Sequence, residues 1–336
     1  MRLLRTALKS GLLAAQIFVL GGWFWFYLES RAARPAPPGA PVVFEIARGR
    51  SVRGVAADLR ARGLLRKSTP FILRYELFYA PRSLKAGEYE LPGSGSAGEI
   101  LEAIILGKVR LHPLTIAEGL TGEETAGFVA AAGFGTEEEF KAAFADPAAI
   151  VLLDPKAADL EGYLFPESYR FPKGTAAAEV VAGMVEQFKS EFAPSRRLRA
   201  AALGMSVRDV VILASLIEKE TGRPEEKPLV SSVFHNRIRL GMKLDCDPTI
   251  IYALKKRGPF ERRLRTKDLK FDSPYNTYLH SGLPPGPICN PGRGSVEAAL
   301  YPAETDFLYF VAQNDRSHVF NRTFREHSAA VLKYQR

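Results

Sequence analysis

The string SVRDVVILASLIEKETG at residues 206–222 ends in two carboxylates and a lysine, Glu218, Lys219 and Glu220, behind a run of apolar side chains. Ser206 and Asp209 are spaced as a capping box, Gly222 fits the position just past a helix end, and Pro224 forbids continuation. The string therefore reads as one helix with both ends marked. Its VVILASLI centre is apolar nearly all round and demands burial. A carboxylate in the last turn faces the negative end of the helix dipole, and burial also opposes ionisation. Both effects raise a carboxyl pKa toward neutrality, as a general acid requires, while a neighbouring Lys or Arg works against them. Glu218 and Glu220 are two positions apart, about 200° around a helix, so they face opposite ways and cannot share a proton. One can serve chemistry while the other serves structure. Periodicity does not choose between them: Glu218 continues the stripe of Val207, Val210, Val211 and Ala214, and Glu220 falls near Leu213 and Leu216. Taken alone, the same residues also read as an ordinary solvated last turn.

Several unusual strings flank this helix. TIAEG stands at 115–119, and LEGYLFPESYRFPKGT at 160–175 is broken by Pro166 and Pro172, so it reads as irregular chain with extended stretches. Its Tyr163, Phe165, Tyr169 and Phe171 suit either a packed core or the wall of a groove. In VSSVFHNRIRLGMKLDCDPTIIYAL a helix is expected to end near Gly241, and Asp247 to cap another that begins around Pro248. SPYNTYLHSGLPPGPICNPG at 273–292 is a turn-dense loop too rich in Pro and Gly for a helix, and loops of that length in compact domains are usually functional. FLYFVAQ and SHVFNRTFREH close the chain.

The elements upstream read as a separate unit. Val42–Ile46 is a predicted strand, Ser51 caps a predicted helix through Ala61, a second helix covers Pro70–Tyr79, Ala86–Leu91 alternates as a strand, and Ser96 opens a third helix with Ile100, Leu101, Ile104 and Ile105 in a stripe. The order is β-α-α-β plus a helix. Residues 11–28 hold no charge and only Gln16 as a strongly polar side chain, which predicts a membrane span. Arg2, Arg5 and Lys9 before it predict a cytoplasmic N-terminus, residues 1–10, with the remainder outside the plasma (inner) membrane. A cleaved signal peptide is the competing reading, but the aromatic end around Trp23 and Trp25 lacks a small-residue cleavage site. Residues 29–41 read as a Pro-rich, semi-rigid spacer.

The 336 residues carry a net charge of +9, of which +4 lies in the first 34 and +5 is dispersed over the rest. That mild surplus suits work beside anionic lipid or polymer and argues against a nucleic-acid partner. Two cysteines exclude a disulfide scaffold, and five scattered histidines lack zinc-type spacing. With neither a βαβ repeat nor a dinucleotide fingerprint, the fold class is α+β.

Together, ASLIEKETG, VFHNRIRLGMKLDCDPT, YNTY, GLPPGPICNPG and HVFN resemble the YceG/MltG family of endolytic murein transglycosylases. The resemblance covers about residues 42–330. It implies a LysM-like subdomain over 42–110, where LKAGEYEL stands, and a catalytic domain over 111–336. It also selects Glu220, since the second glutamate of the family's E-K-E-T string is its catalytic acid, and leaves Glu218 as a neighbour or structural partner. The implied reaction cleaves the MurNAc–GlcNAc β-1,4 bond within nascent peptidoglycan strands. Glu220 protonates the leaving oxygen, then takes the proton of the MurNAc 6-hydroxyl as it attacks C1, leaving a 1,6-anhydro end. No metal or organic cofactor is implied.

Asp247, Asn276, Tyr278 and Asn290 are expected near that centre, and Arg237 either pairs with a glutamate or substrate carboxylate or rests on a helix surface. Cys246 and Cys289 depart from the family pattern inside its motif blocks. They are either one disulfide or two unpaired thiols. Membrane-bound peptidoglycan synthases are the implied protein partners, and the enzyme would end glycan elongation. A noncatalytic wall-binding scaffold is the main alternative. An older resemblance-based label for the family, aminodeoxychorismate lyase, would need a pyridoxal phosphate site, and nothing in the sequence marks a Schiff-base lysine.

Overall fold

The computed structural model describes residues 2–31, 41–93, 95–315 and 317–334; most of the expected spacer, residues 32–40, lies outside the described residues. The chain divides into two compact units, Met1–His112 and Pro113–Arg336.

In the first unit, α1 (Arg2–Arg31) contains the stretch Gly11–Ser30, which is long and apolar enough to cross a membrane. β1 (Val42–Ile46), α2 (Val52–Ala61), α3 (Ser68–Phe78), β2 (Gly87–Leu91) and α4 (Ala97–Leu106) follow. The caps foreseen at Ser51 and Ser96 form: the Ser51 hydroxyl accepts from the Gly54 amide, and Ser96 makes a reciprocal capping box with Glu99. α3 starts two residues before the expected Pro70, which occupies the first turn, where its missing N–H costs nothing. β1 and β2 pair antiparallel from Val42 opposite Leu91 to Ile46 opposite Gly87. Their alternate residues Phe44, Ile46, Tyr89 and Leu91 bury against Val55, Leu59, Ile100, Leu101 and Ile104 in a core of their own.

The second unit is mixed. β3 (Leu111–Thr115) pairs with β4 (Ser168–Pro172), and between them lie α5 (Gly122–Ala131) and α6 (Glu137–Phe144). Then come α7 (Ala177–Glu191), α8 (Pro194–Ala202), α9 (Val207–Glu220), α10 (Lys227–Arg239), α11 (Asp247–Lys255) and α12 (Arg293–Leu300). The antiparallel hairpin β5 (Tyr309–Ala312) and β6 (His318–Asn321) precedes α13 (Phe324–Tyr334). Every residue of α9 from Val210 to Ile217 is buried, with α8, α10, α11 and α12 packed around it. This is the central helix that the all-round apolar centre demanded. Tyr163 and Phe165 are buried in the same core, and Tyr169 and Phe171 pack against it. The aromatics of 160–175 thus belong to the core, not to a groove.

Two expected helix ends differ in detail. Gly222 stands just past the end of α9, as its spacing requires, but does not turn left-handed there, because Thr221 already leaves in extended geometry at φ −140°. Nor does Asp247 cap α11: Cys246 holds the cap position and Asp247 is the first helical residue, which frees its carboxylate for Tyr278.

Candidate active site

The last turn of α9 separates its two glutamates as the 200° offset requires. Glu218 is consumed by structure. Its carboxylate takes the Lys227 ammonium at 3.2 Å, the Gly292 amide at 3.0 Å and the Ser295 hydroxyl at 2.6 Å. Through the last two it caps the start of α12, doing what a helix's own third residue does in a capping box. The backbone at Gly292 approaches so closely that a Cβ there would lie 1.9 Å from the Glu118 carboxyl. Gly119 donates to the Asn290 carbonyl at 2.9 Å, and Lys219 donates to the Gly119 carbonyl at 3.1 Å. The strings TIAEG, IEKET and CNPG are therefore one laced junction.

Glu220 faces the other way, half-buried, into a cavity of about 430 Å³. Arg237, Asp245, Asp247, Tyr278, Tyr309 and His318 also line it. Burial pushes the Glu220 carboxyl up to about 7; the Asp247 charge adds to the rise, while a hydrogen bond from the Cys246 thiol and the Arg237 charge oppose it. At neutral pH the group is thus divided between donor and acceptor forms. Asp247 accepts from the Tyr278 hydroxyl at 2.7 Å, and burial together with that bond holds the phenol protonated.

Arg237 is neither a helix-surface arginine nor a partner of a glutamate. It is buried, with Nε on the Leu308 carbonyl at 2.7 Å and Nη1 on the Lys243 and Leu244 carbonyls and on Asp245, while its guanidinium lies 5.1 Å from the Tyr309 ring centre. It binds the 243–245 turn and β5 to α10. Asp245 sits at φ 50°, a left-handed conformation uncommon outside glycine, and its Arg237 contact holds it there.

Asn276 and Asn290 do not reach the cavity. The Asn276 amide donates to the Leu269 and Phe271 carbonyls, and its oxygen accepts from the Tyr278 amide. Asn290 accepts from the Leu164 amide and donates to the Leu120 carbonyl. Both fasten loop backbone that no regular ladder satisfies. The disulfide reading is corrected as well: Cys246 and Cys289 are free, buried thiols. Cys246 is turned to Glu220, whereas the Cys289 sulfur donates to the Ser215 carbonyl at 3.4 Å.

Sequence reasoning passed over His318 and His327, which line the cavity with Glu220. His318 stands within the quoted HVFN string, and that was the available signal. A larger cavity, about 790 Å³, opens elsewhere in this unit beside Glu161, Tyr252, Lys255 and Lys256. Burial raises Glu161 to about 8, but its oxygens already accept from the Gly122 amide at 3.0 Å and the Tyr252 hydroxyl at 3.3 Å. Glu220 is the carboxyl left with capacity for a ligand.

The pattern of the YceG-like family matches residues 44–333. The chain belongs to that family. It is 32% identical over 333 residues to the endolytic murein transglycosylase of Bacillus subtilis strain 168, covering 94% of this chain and 91% of the relative. The protein of the same name from Streptococcus pneumoniae D39 is 28% identical over 330 residues, covering 89% of this chain and 60% of that longer protein. A crystal structure of a YceG-like protein from Listeria monocytogenes superposes with a TM-score of 0.59 at 32% identity, covering 88% of this chain and all of that one.

Proposed function

We propose that the protein is a membrane-anchored endolytic murein transglycosylase with Glu220 as its acid and base. The observation that carries the reading is a carboxyl held near neutrality on the wall of a cavity, at the end of a buried helix, in a chain whose YceG-like relatives bear that name. Protonated Glu220 donates to the oxygen leaving C1 of MurNAc as the β-1,4 bond to GlcNAc breaks. Its carboxylate then receives the proton of the MurNAc 6-hydroxyl, which closes on C1 as the 1,6-anhydro ring. Because the nucleophile belongs to the substrate, effective molarity replaces a positioned water. Asp247, held in place by the Tyr278 hydroxyl, supplies a fixed anion beside the oxocarbenium-like transition state, and Arg237 keeps that wall rigid.

The Gly11–Ser30 helix would hold the chain in the plasma membrane, with the basic N-terminus inside and residues 42–336 outside. Residues 42–110 would act as a LysM-like glycan holder. Docking beside membrane-bound peptidoglycan synthases would let the enzyme end elongation of nascent strands at a set distance from the bilayer.

The test is mass spectrometry of muropeptides released from purified peptidoglycan by the detergent-solubilised full chain and by Glu220→Gln. Internal 1,6-anhydroMurNAc products should appear with the native protein and vanish with the variant. Reducing-end MurNAc products would overturn the intramolecular attack. No products from either protein would replace the enzyme with a glycan-binding scaffold.

A further inference from the structure

One buried histidine–glutamate pair in the cavity wall has no part in the single-glutamate scheme. His318 opens β6 with its backbone amide on Glu226 Oε1 at 2.9 Å and its ring Nδ1 only 2.6 Å from Glu226 Oε2. The side chains are 9% and 8% exposed, and Thr221, the residue after Glu220, donates its hydroxyl to the same Oε2 at 3.1 Å. Burial alone would raise Glu226, yet these donors together hold its carboxyl below the ordinary range. An ionised carboxylate only accepts, so Nδ1 carries the proton and the Nε2 lone pair is free. Among the described residues Nε2 has no hydrogen-bond partner, and the ring belongs to the wall of the cavity that Glu220 lines. Phe310 meets the imidazole edge-on at 5.5 Å and fixes its plane. A carboxylate on one imidazole nitrogen with the other free is the arrangement that makes histidine an oriented general base.

We propose that His318, held by Glu226, is a second catalytic residue: it takes the proton of the attacking 6-hydroxyl while Glu220 protonates the leaving oxygen. This rests on the transglycosylase reading above and revises one step of it: the 6-hydroxyl proton goes to His318, and Glu220 keeps the acid step. The C1–O4 bond breaks with its electron pair going to O4, which receives the Glu220 proton. The C1–O6 bond forms, and the O6 proton passes to Nε2. Glu226, a positioning residue, balances the imidazolium. The imidazolium proton then returns through water to the Glu220 carboxylate, which restores both groups with nothing oxidised or reduced.

The test is single-turnover cleavage of purified glycan strands by the full chain in detergent across acid to alkaline pH. The titratable and charged groups around the same cavity, Glu220 of α9, Arg237 of α10, Asp245, Asp247, Tyr278, Tyr309 of β5 and His327 of α13, are left intact in the variants. The native protein should give a bell-shaped profile with an acid limb, where the base becomes protonated. His318→Gln should lower kcat by about 10²-fold or more, with KM within about threefold, and abolish that limb. In His318→Ala, added imidazole should restore cleavage. Glu226→Gln should move the acid limb to lower pH, because removing the anion makes the imidazolium easier to deprotonate.

An acid limb and kcat retained in His318→Gln, or a change in KM alone, would overturn the proposal. If His318→Gln failed to fold, the Glu226→Gln profile and imidazole rescue would decide: an unmoved limb, or no rescue in a folded His318→Ala, would reject it. Persistent cleavage by Glu220→Gln would instead reject the underlying reading.

Discussion

Glu220 and Glu161 are both carboxyls raised by burial, to about 7 and about 8, and both border cavities of the second unit. They differ in what surrounds the charge. Glu161 is tied by a backbone amide and a phenol, with the Asn290 amide at 3.5 Å, and so connects the segments around 122, 252 and 290. Glu220 receives one weak thiol donor, and the rest of its hydrogen-bonding capacity faces open space. A perturbed pKa alone therefore does not mark a working acid, since the larger cavity surrounds the carboxyl whose partners are already in place.

The sharpest way to break this contrast is to neutralise each carboxyl in turn. Glu220→Gln should lower glycan cleavage by about 10³-fold, within the range of a lost general acid, while Glu161→Gln should stay within about threefold of native. Equal losses in the two would end the distinction.

Thermal melting at two pH values probes what the carboxyls share. Each raised pKa means that the folded state prefers the neutral form. Stability is then full below the ordinary carboxyl value of 4.5 and is lost as pH rises through about 7 for Glu220 and about 8 for Glu161. Both Gln variants should therefore gain in melting temperature relative to native at pH 9 and gain less at pH 4. A larger gain at pH 4 would reverse the assigned sign.

The smallest effect should come from the thiol. Cys246→Ala removes the one donor that favours ionised Glu220, so the alkaline limb of the cleavage profile should move to higher pH by about half a unit. A shift to lower pH would show that the thiol instead supports the neutral acid.

Much of this arrangement was legible in the sequence because it depends on short-range geometry. The 3.6-residue period placed Glu218 and Glu220 on opposite faces, the apolar VVILASLI centre foretold a buried α9, and the caps were readable locally, at Ser206 from Asp209 three residues on and at Ser51 and Ser96 from a serine just ahead of an apolar stripe. Failures clustered where a side chain's partner is distant along the chain. Asn276 and Asn290 looked like substrate contacts, but a turn-dense loop leaves many backbone groups unpaired, and side-chain amides satisfy them. Two cysteines in separate motif blocks left a bond and two free thiols equally open, and each thiol is turned to a different acceptor. Arg237 stayed open between a charge partner and a helix surface because its carbonyl partners come from a turn and a strand whose placement no periodicity gives. His318 was counted only against zinc, since its pairing with Glu226 spans 92 positions.

The Glu218 clasp on the start of α12 bears on how the chain matures during synthesis. α9 and Lys227 leave the ribosome well before Gly292 and Ser295, the donors that complete the clasp. Until then a carboxylate destined for burial has only the Lys227 ammonium to offset its desolvation. The last turn of α9 is thus set late, when the chain from Gly292 onward arrives. A nascent chain halted before residue 292 would carry Glu220 on a helix without its permanent mooring, so the acid would acquire its final surroundings only near the end of translation.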